Sequence, residues 1–420
     1  MIADLIAWQA RVRPAKTAVV ELATGARVSH AGLDRLAGQA AAWLGAKLGD
    51  TAGQRVAFLG RNSVALLALS LAAERAGAIF VPLNWRLAAP EIAALLADCA
   101  PALVVGDDEF ATGIAARIST GDFLAAASAC EPAAAAPGAD PHRPIILLYT
   151  SGTTGRPKGV IVTAANAAAA ALNFAFVGEV GADAVALSDL PMFHTIGLIA
   201  VARTTLSLGG TLVVSDRFQP GRTLRALGDP GLGISHYFAV PVMIEALQHD
   251  PAFAPEALAR LRAIFVGGAP LAPGLVERFL DLGVPLVNGY GMSEAGTVMH
   301  VPLAREAVRA GVGTVGLPAP EMEVRLVRDG GDVAAGEVGE VWLRGPAVTP
   351  GYWQRPAETA AAFAGGWYRT GDLARREPNG FYRIVDRLKD MYVSGGENVY
   401  PAEIEAVLAA HPDIADAAVL

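Results

Sequence analysis

The stretch at residues 145–162, IILLYTSGTTGRPKGVIV, decides the fold. Its apolar ends predict two buried strands, at 145–149 and 160–162. Between them, residues 150–159 combine three glycines and a run of hydroxyl side chains with Arg156 and Lys158. Glycines let a backbone curve close to a ligand, and N–H groups, hydroxyls and cations all bind phosphate oxygens. The stretch therefore predicts a phosphate-binding loop held between two strands.

This loop differs from the common P-loop of nucleotide-binding proteins. Its spacing is not GxxxxGK[ST], and it joins a strand to a strand instead of a strand to a helix. The alternative interpretation is a flexible surface loop. Surface loops rarely concentrate Ser, Thr, Gly and Lys between two strongly apolar strands, so we favour phosphate binding.

Helical and strand patterns alternate on the N-terminal side of the loop, which indicates an α/β architecture. The predicted elements are a helix at 31–48, a strand at 55–59, a helix at 63–76, a strand at 78–81, a helix at 90–97 and a strand at 102–105. From about residue 310, short strands and Trp/Tyr residues predict a small β-rich unit. A further unit is expected near residue 386, with Pro401 in a first helical turn and a strand at 414–420.

Composition excludes several classes of protein. The chain has 420 residues, 53% of them apolar, and a net charge of −8, which gives no basic surface for nucleic acid. Two isolated cysteines, Cys99 and Cys130, predict neither a disulfide framework nor a zinc site. The first 14 residues predict an amphipathic helix and not a signal peptide, and no apolar stretch is a clean membrane span. We expect a cytoplasmic protein.

Several segments together resemble the adenylate-forming superfamily of acyl-CoA synthetases, peptide-synthetase adenylation domains and luciferases. The segments occur in that family's order: YTSGTTGRPKGV at 149–160, PMFHTIG at 191–197, VGGAPL at 266–271, NGYGMSEA at 288–295, GYWQRP at 351–356, YRTGD at 368–372 and DRLKDMYVSGGENVYPAEIE at 386–405. The resemblance implies a large N-terminal domain at 1–386, made of two α/β subdomains and a small β-barrel-like subdomain. The start of a small α+β C-terminal domain, truncated, would follow at 387–420.

The resemblance also implies an ATP site. Its phosphates would contact Thr150, Ser151, Gly152, Thr153, Thr154 and Lys158, and its adenine would lie among Gly268, Ala269, Pro270, Asn288, Gly289 and Tyr290. Ser293 stands where the family usually has Thr and would contact the α-phosphate, while Glu294 would hold Mg²⁺. Asp372 would accept hydrogen bonds from the ribose hydroxyls, with Arg387 nearby and Lys389 as the pivot between domains. For Asp372 alone, an ordinary turn is the simpler interpretation.

An acid pocket is implied in the same way. It would be formed by His194, Tyr237, Phe238, Val242, Gly267, Gly289 and Met292. None of these is a cation, so a dicarboxylate is disfavoured and a hydrophobic monocarboxylic acid, fatty or aromatic, is expected. Amino-acid-activating relatives tend to have an Asp near the position of His194, and no Asp occurs between residues 191 and 215. This favours an uncharged acid over an amino acid.

The implied function is that of an AMP-forming acyl-CoA synthetase, which joins a carboxylic acid to CoA by way of an acyl-adenylate. Two alternatives stay open. One is a stand-alone enzyme that adenylates an amino acid or aryl acid and loads a carrier protein, and the other is a non-catalytic nucleotide-binding relative. ATP, Mg²⁺ and CoA are the implied cofactors, and the oligomeric state, a homodimer included, is left open.

Two glycine-rich segments need separate interpretations. Residues 311–316 fit the dinucleotide-binding pattern GxGxxG, but Leu317 and Pro318 follow, so no helix can begin there to bind a phosphate. We interpret this segment as a turn. Residues 394–398 predict a second turn, which in the family meets the active site after a domain rotation and helps to form the CoA channel.

The family's adenylation step uses a lysine near the end of the C-terminal domain, and these 420 residues do not include that segment. We therefore expect this chain to bind ATP and the acid but to adenylate poorly. The measurement is ATP–pyrophosphate exchange, and a rate equal to that of a longer version carrying the whole domain would contradict the expectation.

Overall fold

The computed structural model describes residues 4–110, 114, 117–133, 140–150, 157–269, 271–394, 397–409, 411, 414 and 417–419. Within these ranges no helix combines the length and the apolar character needed to cross a membrane. The predicted site residues Ser151, Gly152, Thr153, Thr154 and Pro270 lie outside the described residues.

The elements of the fold are as follows. The helices are α1 Leu5–Val12, α2 His30–Leu48, α3 Val64–Ala76, α4 Ala89–Cys99, α5 Thr120–Ser128, α6 Ala164–Val177, α7 Thr204–Ser207, α8 Pro220–Gly228, α9 Pro241–His249, α10 Pro255–Leu258, α11 Pro273–Asp281, α12 Arg305–Ala310, α13 Pro356–Ala362 and α14 Pro401–Ala409, with a 3₁₀ turn at Asp108–Phe110 and a π-helix at Ile196–Arg203. The strands are β1 Thr17–Glu21, β2 Arg27–Ser29, β3 Arg55–Leu59, β4 Ile79–Leu83, β5 Leu103–Gly106, β6 Arg117–Ser119, β7 Pro144–Thr150, β8 Lys158–Thr163, β9 Val185–Ser188, β10 Thr211–Val214, β11 His236–Ala239, β12 Ala263–Val266, β13 Leu286–Met292, β14 Gly296–His300, β15 Leu317–Pro318, β16 Glu323–Arg328, β17 Gly331–Asp332, β18 Val338–Arg344, β19 Phe363–Ala364, β20 Trp367–Arg376, β21 Tyr382–Arg387, β22 Tyr392–Ser394 and β23 Glu397–Val399.

Two mixed sheets form the α/β part. The first has six strands in the order β6-β5-β3-β4-β7-β8, and the second has nine in the order β15-β14-β13-β12-β11-β9-β10-β1-β2. Most neighbours are parallel, whereas β8, β14, β15 and β2 run antiparallel to a neighbour. Parallel strands need crossover helices, so the alternating sequence pattern produces this arrangement. A third, antiparallel sheet contains β16 to β21 and is the small β-rich unit that the sequence predicts.

The core lies on both faces of the first sheet. Val56 and Phe58 of β3 face a large cluster that includes residues of α2, α3 and the second sheet, while Ala57 and Leu59 face a smaller cluster with α4. Successive residues of a strand point to opposite faces, so both faces of this strand are buried and its sequence is apolar throughout. Side-chain caps from Ser63 and Thr163 begin the helices α3 and α6 that cover the sheets.

The sequence predictions hold for most elements and fail at two places. Residues 311–316 form a turn with no helix after it, as expected, and Pro401 begins α14. The apolar stretch after residue 195 begins with a π-helix, a form that sequence periodicity did not indicate. The strand predicted at 414–420 is wrong at its described residues, 414 and 417–419, which form no strand. The Val419 N–H donates to the side chain of Glu405 on α14 instead of to a neighbouring strand.

Candidate active site

The predicted phosphate loop connects two paired strands. β7 and β8 are antiparallel, and Thr150 lies directly opposite Lys158 at their open end. The Lys158 ammonium group lies 5.3 Å from the centre of the Tyr352 ring. The described base of the loop therefore places a cation beside the GYW segment, which is distant in sequence.

Glu294 lies in the turn between β13 and β14, next to the same tyrosine. The Tyr352 hydroxyl donates to Glu294 Oε1 at 3.1 Å and lies 3.0 Å from the Tyr368 hydroxyl, while the backbone N–H of Thr349 donates to the Glu294 carbonyl at 2.7 Å. Burial raises the pKa of the Glu294 carboxyl, and the tyrosine hydrogen bonds oppose that shift. The result is a poorly solvated carboxylate in a fixed position, which is suited to holding a cation.

Asp372 is part of strand β20, where the simpler turn interpretation is wrong. It lies opposite Arg387 of β21, and Arg387 Nε is 3.4 Å from Asp372 Oδ1. The Tyr290 hydroxyl donates to Asp372 Oδ2 at 2.6 Å. The preceding Gly371 has φ of +73°, a left-handed conformation that glycine adopts without strain. Burial raises the pKa of the Asp372 carboxyl, and the Tyr290 hydrogen bond and Arg387 oppose the shift.

These contacts bring three distant segments into one place. Lys158 and Glu294 both contact Tyr352, and Asp372 contacts Tyr290. Burial is the largest cause of the raised pKa of Tyr290. The negative charge of Asp372 is the next largest cause, and the charge of Glu294 raises the pKa further. A cation and two carboxylates, supplied by β8, the β13–β14 turn and β20, therefore lie around one group of tyrosines.

Tyr352 and Tyr368 are functional candidates that the residue-by-residue sequence analysis missed. Both belong to segments that carried the resemblance, GYW and YRTGD, so the signal was present. Burial raises the pKa of each hydroxyl well above its ordinary value, and the charge of Glu294 adds to this. Both hydroxyls stay protonated at neutral pH and can donate to the Glu294 carboxylate.

The predicted adenine residues lie at the ends of β12 and β13. Gly268 has φ of +87°, and Ala269 beside it is exposed. Asn288 Nδ2 donates to the Thr314 carbonyl at 3.0 Å, whereas Asn288 Oδ1 is buried and has no hydrogen-bond partner among the described residues. An unpaired buried acceptor of this kind fits a ligand that brings an N–H donor.

A compact cavity of about 30 Å³ adjoins these residues and is here called the acid cavity. Its lining is Phe174, Thr195, Ile196, Ala200, Phe238, Gly267, Gly268, Gly289, Tyr290, Gly291, Gly296, Thr297, Met299 and His300. Three residues predicted for the acid pocket line it: Phe238, Gly267 and Gly289. Ser293 and Glu294 line a separate, smaller space that shares Thr195 and Gly296 with it.

The other predicted pocket residues, His194, Tyr237, Val242 and Met292, do not line this cavity. Tyr237 is fully buried, and its hydroxyl donates to Asp189 Oδ2 at 3.3 Å on the far side of the strand. Val242 is 67% exposed at the start of α9.

His194 is exposed to solvent, and its ring packs at a tilt against Phe193, with 4.5 Å between the ring centres. The protein around it still desolvates the ring, and this lowers the pKa of His194, with a further contribution from Arg86. Arg86 is a cation near this position that sequence reasoning did not identify. His194 therefore lies outside the acid cavity, while the next residues, Thr195 and Ile196, line it.

The predicted pivot lies close to Asp372. Arg387 and Lys389 are exposed, and the backbone N–H of Leu388 donates to the Gly371 carbonyl at 2.7 Å. A movement at this segment would therefore change the surroundings of Asp372 directly.

Two paired strands on either side of residues 151–156, and two largely buried carboxylates, Glu294 and Asp372, each bonded to a tyrosine, agree with the arrangement that the resemblance to adenylate-forming enzymes implies. The chain belongs to the AMP-binding enzyme family, whose family model matches residues 6–353. It is 38% identical to a feruloyl-CoA synthase of Amycolatopsis sp over 98% of this chain and 84% of that protein. It is 34% identical to a long-chain-fatty-acid–CoA ligase of Mycobacterium tuberculosis over 99% of this chain and 84% of that protein.

A solved structure shows the same fold. The crystal structure of ATP-bound MatB from Rhodopseudomonas palustris aligns with a TM-score of 0.91 and 30% identity, and the alignment covers 100% of this chain and 86% of that one. The predicted superfamily, fold class and enzyme class, an acid–thiol ligase of the acyl-CoA synthetase type, are confirmed. The roles assigned to individual residues stay predictions.

The buried Asp189 generates a pH prediction. Burial raises the pKa of its carboxyl to about 7, against hydrogen bonds from Thr223 and Tyr237 that lower it. The native state therefore keeps a proton that the unfolded chain releases near pH 4, and the free energy of unfolding falls as pH rises from about 4 to 7. One such group contributes a slope of up to about 1.4 kcal/mol per pH unit.

In Asp189→Asn, the free energy of unfolding should depend less steeply on pH between about 4 and 7, because an amide does not titrate. The measurement is denaturant unfolding between pH 4.5 and 7.5, with the exposed Asp281→Asn as the matched control. If the two variants and the unchanged chain give parallel curves, Asp189 does not hold a proton in the native state.

Proposed function

We propose that residues 1–386 form the ATP- and acid-binding domain of an AMP-forming acyl-CoA synthetase, that residues 387–420 begin a mobile second domain, and that the substrate is an aromatic monocarboxylic acid. The observation that carries the proposal is the convergence of Lys158, Glu294 and Asp372 through Tyr352 and Tyr290. ATP and CoA, the cosubstrates of this enzyme class, are soluble metabolites of the cytoplasm, and we place the protein there.

The reaction has an electrostatic problem that these residues address. A carboxylate attacks the α-phosphorus of ATP, and the bond to the bridging oxygen breaks to release pyrophosphate. Two anions must therefore approach each other, and fixed positive charge and N–H donors lower the barrier. Lys158, at the base of the loop, supplies a charge toward the phosphates, and Ser293 supplies a hydroxyl donor. Positioning of the two reactants by the cleft supplies a large part of the remaining rate.

Glu294 suits a role as the protein ligand of Mg²⁺. Magnesium is commonly bound through one or two carboxylates together with substrate phosphates, so a single carboxylate beside the phosphate loop fits. When bound, Mg²⁺ would neutralise phosphate charge as it develops. Tyr352 holds the Glu294 carboxylate in place by the 3.1 Å hydrogen bond.

The protein also has hydrogen-bond acceptors suited to the adenine and the ribose of ATP. Asn288 Oδ1 is a buried acceptor without a described partner and can accept from the adenine amino group. Asp372 is oriented by Tyr290 and Arg387 and can accept from the ribose hydroxyls. Both features come from residues that the resemblance assigned to ATP.

The walls of the acid cavity favour an aromatic acid over a long fatty acid. Phe174 and Phe238 form an aromatic wall with 5.7 Å between ring centres, and glycines form another side. Aromatic rings prefer offset or tilted contacts with other rings at such distances. The feruloyl-CoA synthase, whose name specifies an aromatic acid, also has the higher identity of the two relatives.

Activation of an amino acid is the nearest alternative, and the structure disfavours it. Asp189 is the buried carboxylate nearest in sequence to His194, but its Oδ2 is bonded to Thr223 at 2.7 Å and to Tyr237, and it does not line the acid cavity. It therefore offers no charge to an α-amine there. Whether CoA or a carrier protein accepts the acyl group is decided outside the cavity, and the family match favours CoA.

The test is a CoA-ligation assay on the full-length enzyme with a panel of aromatic, fatty and amino acids. Aromatic acids should give the highest kcat/KM. Glu294→Gln should lower turnover at least about 100-fold, because the cation loses its charged ligand. Glu245→Gln, an exposed carboxylate on α9, is the matched control and should leave turnover unchanged.

Preferred ligation of an amino acid would support the alternative enzyme. A Glu294→Gln variant with normal Mg·ATP binding and turnover would contradict the role of Glu294. Absence of adenylation with every acid would indicate a non-catalytic nucleotide-binding protein.

A further inference from the structure

His300 is a buried side chain at the acid cavity for which the proposed function gives no role. It is 3% exposed, ends strand β14 and lies directly opposite Gly289 of β13. It belongs to the lining of the cavity together with Phe238 and Gly267. Phe265 packs against its ring, with 5.4 Å between ring centres.

The protonation state of His300 follows from its hydrogen bond to the Val301 carbonyl. Nδ1 lies 2.7 Å from the Val301 carbonyl oxygen, and a carbonyl can only accept, so Nδ1 carries a proton. Burial lowers the pKa of His300 to about 4, so the ring is neutral at pH 7. The other nitrogen, Nε2, therefore carries a lone pair and is a hydrogen-bond acceptor.

This acceptor has no partner among the described residues, and it is shielded from bulk water. A buried polar atom without a partner costs free energy and calls for an explanation. Packing beside Phe265 does not by itself leave a histidine nitrogen without a partner. His236 also packs against Phe265, with 5.9 Å between ring centres, and both of its ring nitrogens have hydrogen-bond partners. One contacts Ser235 Oγ at 2.8 Å and the other the Gly178 carbonyl at 3.1 Å.

Gly289 leaves the relevant edge of the His300 ring uncovered. A Cβ atom at position 289 would lie 2.7 Å from His300 Cδ2 and 3.5 Å from Nε2. Any side chain there would cover the edge that carries the acceptor. Phe174 and Phe238 lie nearby in the lining, and the Tyr290 hydroxyl donates to Asp372 instead. No described side chain of the lining, Thr195 and Thr297 included, donates to Nε2, so a bound molecule can supply the donor.

We propose that His300 Nε2 accepts a hydrogen bond from a hydroxyl group on the ring of the acid substrate, which makes His300 a specificity residue for hydroxylated aromatic acids. The inference rests on the proposed function, because it needs the acid to occupy this cavity. It goes further in naming the ring substituent and the atom that recognises it. A site built around an unpaired acceptor rejects a ligand that cannot donate to it.

The test compares pairs of ligands that differ only in the ability to donate. Cinnamic acids with a hydroxyl at ring position 2, 3 or 4 are each paired with the fluorinated acid at the same position, since fluorine is close in size but carries no proton. Dissociation constants are measured by calorimetry on this 420-residue chain with Mg·ATP present. At one position at least, the hydroxylated acid should bind about tenfold more tightly than its fluorinated partner.

Substitutions of His300 and His236 test whether His300 causes the preference for the hydroxylated acid. His300→Leu should remove the preference, His300→Gln should restore part of it because its amide oxygen accepts, and His236→Leu, the matched control, should keep it. The chemical shift of His300 Nε2, measured by ¹⁵N NMR on the unchanged chain, should move with the hydroxylated acid and not with the fluorinated one. This measurement stands even if a variant does not fold.

A hydroxyl preference below twofold at all three positions, or one that persists in His300→Leu, would overturn the inference and leave the proposed function intact. Binding of fatty acids with no binding of any cinnamic acid would instead overturn the aromatic substrate, and this inference with it.

Discussion

The proposed chemistry depends on one constraint: Glu294 must stay charged and correctly placed although burial removes much of its water. The Tyr352 hydroxyl meets this constraint, because it donates to the carboxylate while its ring lies under the Lys158 ammonium group. A charge-assisted hydrogen bond partly offsets the cost of burying a carboxylate. Lys158, the proposed Mg²⁺ ligand Glu294 and the strand that carries Asp372 are thereby held in one arrangement.

The fold supplies this arrangement by bringing together the ends of three sheets. β7 and β8 present Lys158, the β13–β14 turn presents Glu294, and β20 of the β-rich sheet presents Asp372. The acid cavity lies beside them, between α6, the π-helix and the ends of β11 to β14. The aromatic wall and the unpaired acceptor of His300 line a cavity that adjoins the space at Ser293 and Glu294. In the proposed function, recognition of the acid and its activation would therefore use neighbouring parts of the site.

Sequence reasoning predicted what depends on local pattern and missed what depends on side-chain direction. The strand–loop–strand around Lys158 and the helix at Pro401 follow from apolar runs, Gly and Pro, and the structure has both. The sequence analysis also placed Tyr237 in the acid pocket beside Phe238. Neighbouring residues in a strand point to opposite faces, however, so of these two only Phe238 lines the cavity. The unpaired nitrogen of His300 was invisible to sequence, since it depends on the pairing of β13 with β14.

The most direct test of the account is a crystal structure of this chain with Mg²⁺ and a non-hydrolysable ATP analogue. The account predicts phosphate density against the loop at 150–158, the metal beside Glu294 and the ribose at Asp372. Nucleotide bound at another place, or a metal held away from Glu294, would contradict it.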